Sequence, residues 1–284
     1  MKIEEINITE LHLFRENPFK VRKDEAFNEL VESVSTDGIY EPLIVCPDKD
    51  ESGYIIVSGQ RRFEAAKTAG LETVPAVVHD MDKDKMIIAI VDNNICSRDI
   101  LPSEKAFGYK LKYDAMKRTA GRPLNNSCQV GTNLRTDKKI AEFSDDSARQ
   151  IQRYIRLTSL IPELLDMVDK GKIAFTPAVE MSFLTVDEQK ALAFEMEGAD
   201  ATPSLSQAQR MRKLSSENML TQDTIENIIA EEKGNQKETL KIPVAMITKC
   251  MGKYTDRKAM ETYVQKACEH YAKYLKKMRD RDAR

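Results

Sequence analysis

Tyr54-Ile55-Ile56-Val57-Ser58-Gly59-Gln60-Arg61-Arg62-Phe63-Glu64-Ala65-Ala66 is the stretch on which the fold turns. Its four leading apolar residues, β-branched at 55–57, read as a short buried strand. Ser58-Gly59 is a turn, and a helix is predicted from about Gln60 to Ala69, closing at Gly70. A strand, a glycine turn and a helix N-terminus together form a natural anion site, because unpaired backbone N–H groups and the helix dipole face the ligand. Arg61 and Arg62 on the first helical turn oppose that dipole, which favours acids there. Guanidinium forks suit phosphate. From these residues alone, phosphate binding and a pair of plain surface charges both stay open.

Working outward, Leu43-Ile44-Val45 is a second apolar run, separated from Tyr54–Val57 by a polar loop, and the two read as paired strands. Val74-Pro75-Ala76-Val77-Val78 is another strand, and Ile6-Asn7-Ile8 a short one. Between them a helix is predicted from Asp24 to Thr36. Phe27, Leu30, Val31 and Val34 lie on one of its faces, and Asp37-Gly38 ends it. A further helix is expected from Lys83 to Asn93. Residues 1–100 therefore read as an α+β domain.

After Pro102 the character changes. Ser103 and Glu104 open a helix through about Lys117, with Pro102 just outside it. Residues 118–136 lack periodicity and read as a linker. Everything from 137 to 231 looks helical, which makes 101–231 an all-α domain. Residues 232–241 are a second linker. Residues 242–284 form a small unit ending in a long amphipathic helix, whose apolar candidates are Met260, Tyr263, Val264, Ala267, Tyr271, Tyr274 and Leu275.

Within the helical domain, Ile140 and Ala141 lie on a short helix ending near Phe143. Ser144-Asp145-Asp146 turns the chain, and Ser147 N-caps a second helix. That helix turns Ile151, Ile155 and Ala148 inward and carries Arg149, Gln150, Arg153 and Arg156 on its other face. This is the layout of a helix-turn-helix at about 137–157, with an ordinary helical hairpin as the alternative. Gln and Arg read adenine and guanine edges in the major groove, while Ser147 and Tyr154 are placed to reach phosphates. Lys20-Val21-Arg22 is a weak signal by itself. Asp92-Asn93-Asn94 at a helix end suits either a cap or a metal ligand, and capping fits the spacing better. Residues 273–284 hold six Lys and Arg against two Asp, a basic end that suits solvent or DNA.

Composition restricts the classes further. The chain has 44 Lys and Arg against 46 Asp and Glu, so any nucleic-acid contact must come from local patches. Five Cys at 46, 96, 128, 250 and 268 show neither metal-ligand spacing nor even pairing, which argues against zinc and against a disulfide framework. No apolar run suggests a signal peptide or a membrane span, so a cytoplasmic protein is expected.

Taken in order, these pieces resemble the ParB-type partition proteins of plasmids, chromosomes and mobile elements. The resemblance runs over about residues 6–185. It rests on Asn17-Pro18 through Arg22; on Asp37-Gly38-Ile39-Tyr40-Glu41-Pro42-Leu43; on Ser58-Gly59-Gln60-Arg61-Arg62-Phe63, where the family reads Gly-Glu-Arg-Arg; on Asp92 through Glu104; and on the helix-turn-helix with Arg153-Tyr154-Ile155-Arg156-Leu157. The family implies a ParB/sulfiredoxin-like N-terminal fold that binds CTP with Mg²⁺, and a dimer that closes as a clamp on a palindromic centromere-like site. It also implies a Walker-type ParA ATPase partner and a nucleoid location. Carried over residue by residue, Arg22 falls in the first nucleotide motif. Gly59, Gln60, Arg61 and Arg62 correspond to the triphosphate motif, and Asn94 to the residue that organises Mg²⁺.

Two departures stand out. Gln60 replaces the family's Glu, and Asn93-Asn94-Ile95-Cys96-Ser97 replaces Glu-Asn-Leu-Gln-Arg, which removes an acid at Asn93 and a cation at Ser97. Binding of CTP survives these changes more readily than hydrolysis does, so at most a weak CTPase is expected. The divergence points to a plasmid or integrative-element member. A transcriptional or nucleoid-occlusion DNA binder of the same architecture is the competing expectation. A redox enzyme on the sulfiredoxin fold is disfavoured, because the phosphate loop holds no Cys.

Overall fold

The computed structural model describes residues 2–95, 100–119, 136–231, 244, 246–247 and 256–282. The chain divides into two compact units, Met1–Glu231 and Glu232–Arg284. The calls on the linkers at 118–136 and 232–241, and on Cys96 and Ser97, fall almost wholly outside the described residues; residues 118, 119 and 136 are helical.

The N-terminal part of the first unit is built on a five-stranded sheet of order β1-β5-β3-β4-β2. The strands are β1 (Ile3–Asn7), β2 (Leu11–Leu13), β3 (Leu43–Pro47), β4 (Tyr54–Ser58) and β5 (Thr73–Val78). The expected β3–β4 pairing is antiparallel, while β3–β5 and β2–β4 are parallel. The N-terminal strand lies earlier than its apolar pair suggested. Asn7 ends it by accepting the Thr9 N–H at 3.0 Å, and Ile8 opens a 3-10 turn. The three-residue β2 has no sequence signal of its own, and its partner β4 defines it.

Helices α1 (Glu25–Asp37) and α2 (Gln60–Ala69) cover one core of the sheet through Phe27, Val34 and Phe63. Asp24 caps α1 by accepting the Phe27 N–H at 2.9 Å. Helix α3 (Lys83–Ile95) packs Met86, Ile87 and Ile90 into a second core against Ile55 and Val57. It runs two residues past the sequence expectation. Helix α4 (Pro102–Thr119) includes Pro102 in its first turn, where proline's fixed φ suits the helix and its missing N–H costs nothing.

Helix α4 ties the two halves of this unit together, packing on α3 and on α6. Gly108 lets α4 approach the loop before α1 closely, since a Cβ there would lie 2.8 Å from the Phe19 ring. The helix-turn-helix comprises α5 (Thr136–Ala141) and α6 (Ala148–Leu157). Ile140 and Ile151 are fully buried between it and Tyr109 of α4. Helices α7 (Pro162–Asp169), α8 (Phe175–Met181), α9 (Val186–Ala199), α10 (Leu205–Ser216) and α11 (Gln222–Ala230) close a core around Leu164, Met181, Leu192 and Met211. The fold class is thus as expected, an α+β domain followed by helices.

In the second unit, α12 (Arg257–Asp282) leaves Tyr271, Tyr274 and Leu275 exposed. No helix among the described residues is long and apolar enough to cross a membrane.

Candidate nucleotide cleft and nucleic-acid interface

Gly59 is the N-cap of α2, with φ of +99°, a conformation that side-chain-bearing residues rarely adopt. A Cβ there would also lie 3.0 Å from Leu43 Cγ. No side chain caps this helix, so its first N–H groups face the cleft beside it. That cleft, of about 420 Å³, is lined by Gly59, Arg61 and Arg62 on one side and by Asn93 and Asn94 from α3 on the other. Asn17 lines it as well. Two motifs more than 30 residues apart in sequence therefore share one pocket.

Each side chain has a distinct tie. Arg62 donates to the Glu41 carbonyl and, at 3.3 Å, to the Pro42 carbonyl, and lies 3.4 Å from the Glu41 carboxylate. Arg61 is held only at 3.4 Å from Asp24 and is about a third exposed. Gln60 donates to the Phe19 carbonyl and accepts from Asn17, both at 3.1 Å. It thereby fastens the loop before α1 onto α2. A carboxylate at position 60 has no hydrogen to give Phe19, so this bond depends on the amide. Asn94 donates to the Ile90 carbonyl one turn back at 2.8 Å, which leaves its amide oxygen as the end a cation could meet. Arg22 is exposed on the loop and does not line the cleft.

The sequence reading took Asn17-Pro18 as a turn and missed its place in the cleft. It also missed buried Glu104 of α4, whose carboxylate accepts the Lys20 N–H at 2.8 Å and the Leu101 N–H at 3.1 Å. Neither role has a local sequence signature.

On the helix-turn-helix, Ser147 accepts the Gln150 N–H at 3.2 Å, as expected of an N-cap. Arg149 is exposed. Gln150 and Arg153 are joined at 3.2 Å, and Arg153 also donates to Thr176 of α8 at 2.9 Å while stacking 4.9 Å over Phe175. Tyr154 is half-buried, its ring 5.9 Å from Tyr109 and 4.7 Å from Phe175, so packing fixes it. Arg156 and Arg212 stack on Phe183. Burial first, and then Arg212, lowers the pKa of the Arg156 guanidinium, which stays charged. The result is a face rich in guanidinium groups of fixed orientation, suited to phosphate and base edges.

A mixed sheet with a glycine-capped helix, joined through one long helix to a helix-turn-helix, is the architecture of the first unit. Residues 1–95 match the ParB N-terminal domain. Over 203 residues the chain is 30% identical to the chromosome-partitioning protein Spo0J of Thermus thermophilus, covering 70% of this chain and 67% of that one. The chain belongs to the ParB family. It is also 46% identical over 175 residues to stage 0 sporulation protein J of Bacillus subtilis, which is 61% of this chain and 54% of that protein. The match thus spans about half the length of that relative. C-terminally truncated ParB from Caulobacter crescentus complexed to the centromeric parS site is a structural neighbour, with TM-score 0.44, 24% identity and coverage of 74% and 98% of the two chains.

Proposed function

We propose that the chain is a sequence-specific DNA-binding partition protein. It binds a palindromic centromere-like site as a homodimer and closes on DNA as a clamp when CTP enters the N-terminal cleft. The observation that carries this reading is the shared cleft of Gly59, Arg61, Arg62 and Asn94, in the same compact unit as the guanidinium-lined helix-turn-helix. Relatives named as chromosome-partitioning proteins support the segregation role.

The cleft fits a nucleoside triphosphate. The uncapped N-terminus of α2 and the Arg61 guanidinium would hold phosphate oxygens, and the Asn94 amide oxygen would face Mg²⁺. Bound there, Mg²⁺ would supply charge neutralisation for the phosphates. Hydrolysis is slow in this reading, since Asn93 is not an acid. A Walker-type ATPase is the proposed protein partner, and the nucleoid the proposed location.

The test is calorimetry with CTP and Mg²⁺, with and without a duplex carrying the site found by chromatin precipitation. Micromolar CTP binding, strengthened by the cognate duplex, and precipitation peaks with spreading shoulders are expected. Absence of CTP binding in both arms rejects the clamp. Isolated narrow peaks would favour a transcriptional or nucleoid-occlusion role.

A further inference from the structure

At the other end of β4 from Gly59, His12 of β2 meets the β3–β4 hairpin. The parallel register sets His12 opposite Ile55, and its Nε2 lies 2.7 Å from Asp48 Oδ2. Glu51 joins them, and one ligand atom from each of the three lies within 4.8 Å of the others. All three line a cavity of about 620 Å³, larger than the nucleotide cleft.

Two features set Asp48 apart from a surface acid, while Glu51 is exposed. Asp48 is only 10% exposed. Its two oxygens are also divided: Oδ1 accepts the Asp50 N–H at 2.8 Å, which aims Oδ2 at the imidazole. A carboxylate oriented by an outer hydrogen bond is suited to ligation, since ligating carboxylates are held in this way. Of the cations lining the cavity, Lys49 lies 3.8 Å from Asp80 and Lys83 4.0 Å from Asp50, and Arg15 lines it as well.

From the convergence of His12, Asp48 and Glu51 on this cavity, we propose a divalent transition-metal site separate from the nucleotide cleft. One nitrogen and two carboxylates favour a borderline ion such as Zn²⁺ or Co²⁺ over Ca²⁺ or Mg²⁺. The cavity leaves room for water ligands to complete the shell. From Tyr54 to Ser58, β4 spans four residue steps, so the site stands roughly 13 Å from the phosphate helix. A bound ion would pin the β3–β4 hairpin to β2.

Co²⁺ titration of the nucleotide-free full chain tests this, read by calorimetry and by imidazole resonances. The chain has only three His, so the assignment to one of them is direct. One saturable equivalent is expected, with paramagnetic broadening first at His12 rather than at His79 or His270. Affinity should fall ten-fold or more in His12→Ala and in Asp48→Asn. No saturable binding, or broadening confined to the other two His, overturns the proposal. So does a thiolate charge-transfer band as the only spectral change, or unchanged affinity in both variants. The wild-type broadening decides the matter even where a variant misfolds.

Discussion

The Tyr109 hydroxyl of α4 donates to Asp146 Oδ2 at 2.6 Å, and Lys105, one turn earlier, reaches the same oxygen at 2.6 Å. Asp146 immediately precedes the Ser147 cap of α6. The helix that packs on α3 therefore also grips the turn of the helix-turn-helix. Burial first, and then the bond to Asp146, raises the Tyr109 pKa above its ordinary value. A raised tyrosine pKa contributes stability that is complete below the unfolded value and lost as pH climbs from there through the higher folded value. Thermal melts should therefore show a loss above about pH 10. Tyr109→Phe should lack that component and cost about 1 kcal/mol at neutral pH. An unchanged alkaline limb in Tyr109→Phe would refute this assignment.

Lys112 and Asp92 link α4 to α3 beside the cleft, and the pair is asymmetric: the Lys112 side chain is 4% exposed and Asp92 41%. Removing the acid strands a buried ammonium, whereas removing the lysine leaves a hydrated carboxylate. Denaturant unfolding should therefore show Asp92→Ala losing about 2–3 kcal/mol, below the 3–5 of a fully buried pair. Lys112→Met should cost about 1 kcal/mol or less. The reverse order would mean that Lys112 is not the desolvated partner.

Gln150 and Arg153 form one hydrogen-bonded unit with Thr176, so their contributions to DNA recognition should not add. Fluorescence anisotropy on cognate and random duplexes should show Gln150→Ala and Arg153→Ala each losing about 1–3 kcal/mol on the specific site and much less on random DNA. The double variant should lose less than the sum of the two. Equal losses on both duplexes would make these residues backbone contacts.

Arg61 and Arg62 should separate in phenotype. Arg61 has one long contact, whereas Arg62 braces the backbone at Glu41 and Pro42. Arg61→Ala should weaken CTP binding about ten-fold with little change in melting temperature, since a charge-assisted bond contributes about 1.5–3 kcal/mol. Arg62→Ala should lower both. CTP turnover measured by phosphate release should be slow or absent in the wild type.

The exposed Tyr271, Tyr274 and Leu275 on α12 suit burial against a second copy. A chain cut after Gln236 should sediment as a monomer without DNA or nucleotide. A stable dimer from that truncation would place the constitutive contact elsewhere.

The sequence by itself determined the parts whose physics is local. The apolar run Tyr54–Val57 followed by Gly59 specified β4 and the start of α2, because only glycine readily takes the turn's positive φ. Ser147 specified the start of α6 through its own cap. The periodic Phe27, Leu30, Val31 and Val34 specified the buried face of α1. Tertiary structure alone decided which of these parts meet. No local pattern carries Asn17 to Gln60, Glu104 to the Lys20 amide, or His12 to Asp48, since each bond joins groups more than 30 residues apart whose positions depend on sheet register and on helix packing. The same reason placed Tyr154 in a packed aromatic cluster and left Arg22 outside the cleft. A side chain's direction follows from what its element packs against, and that is a property of the whole fold.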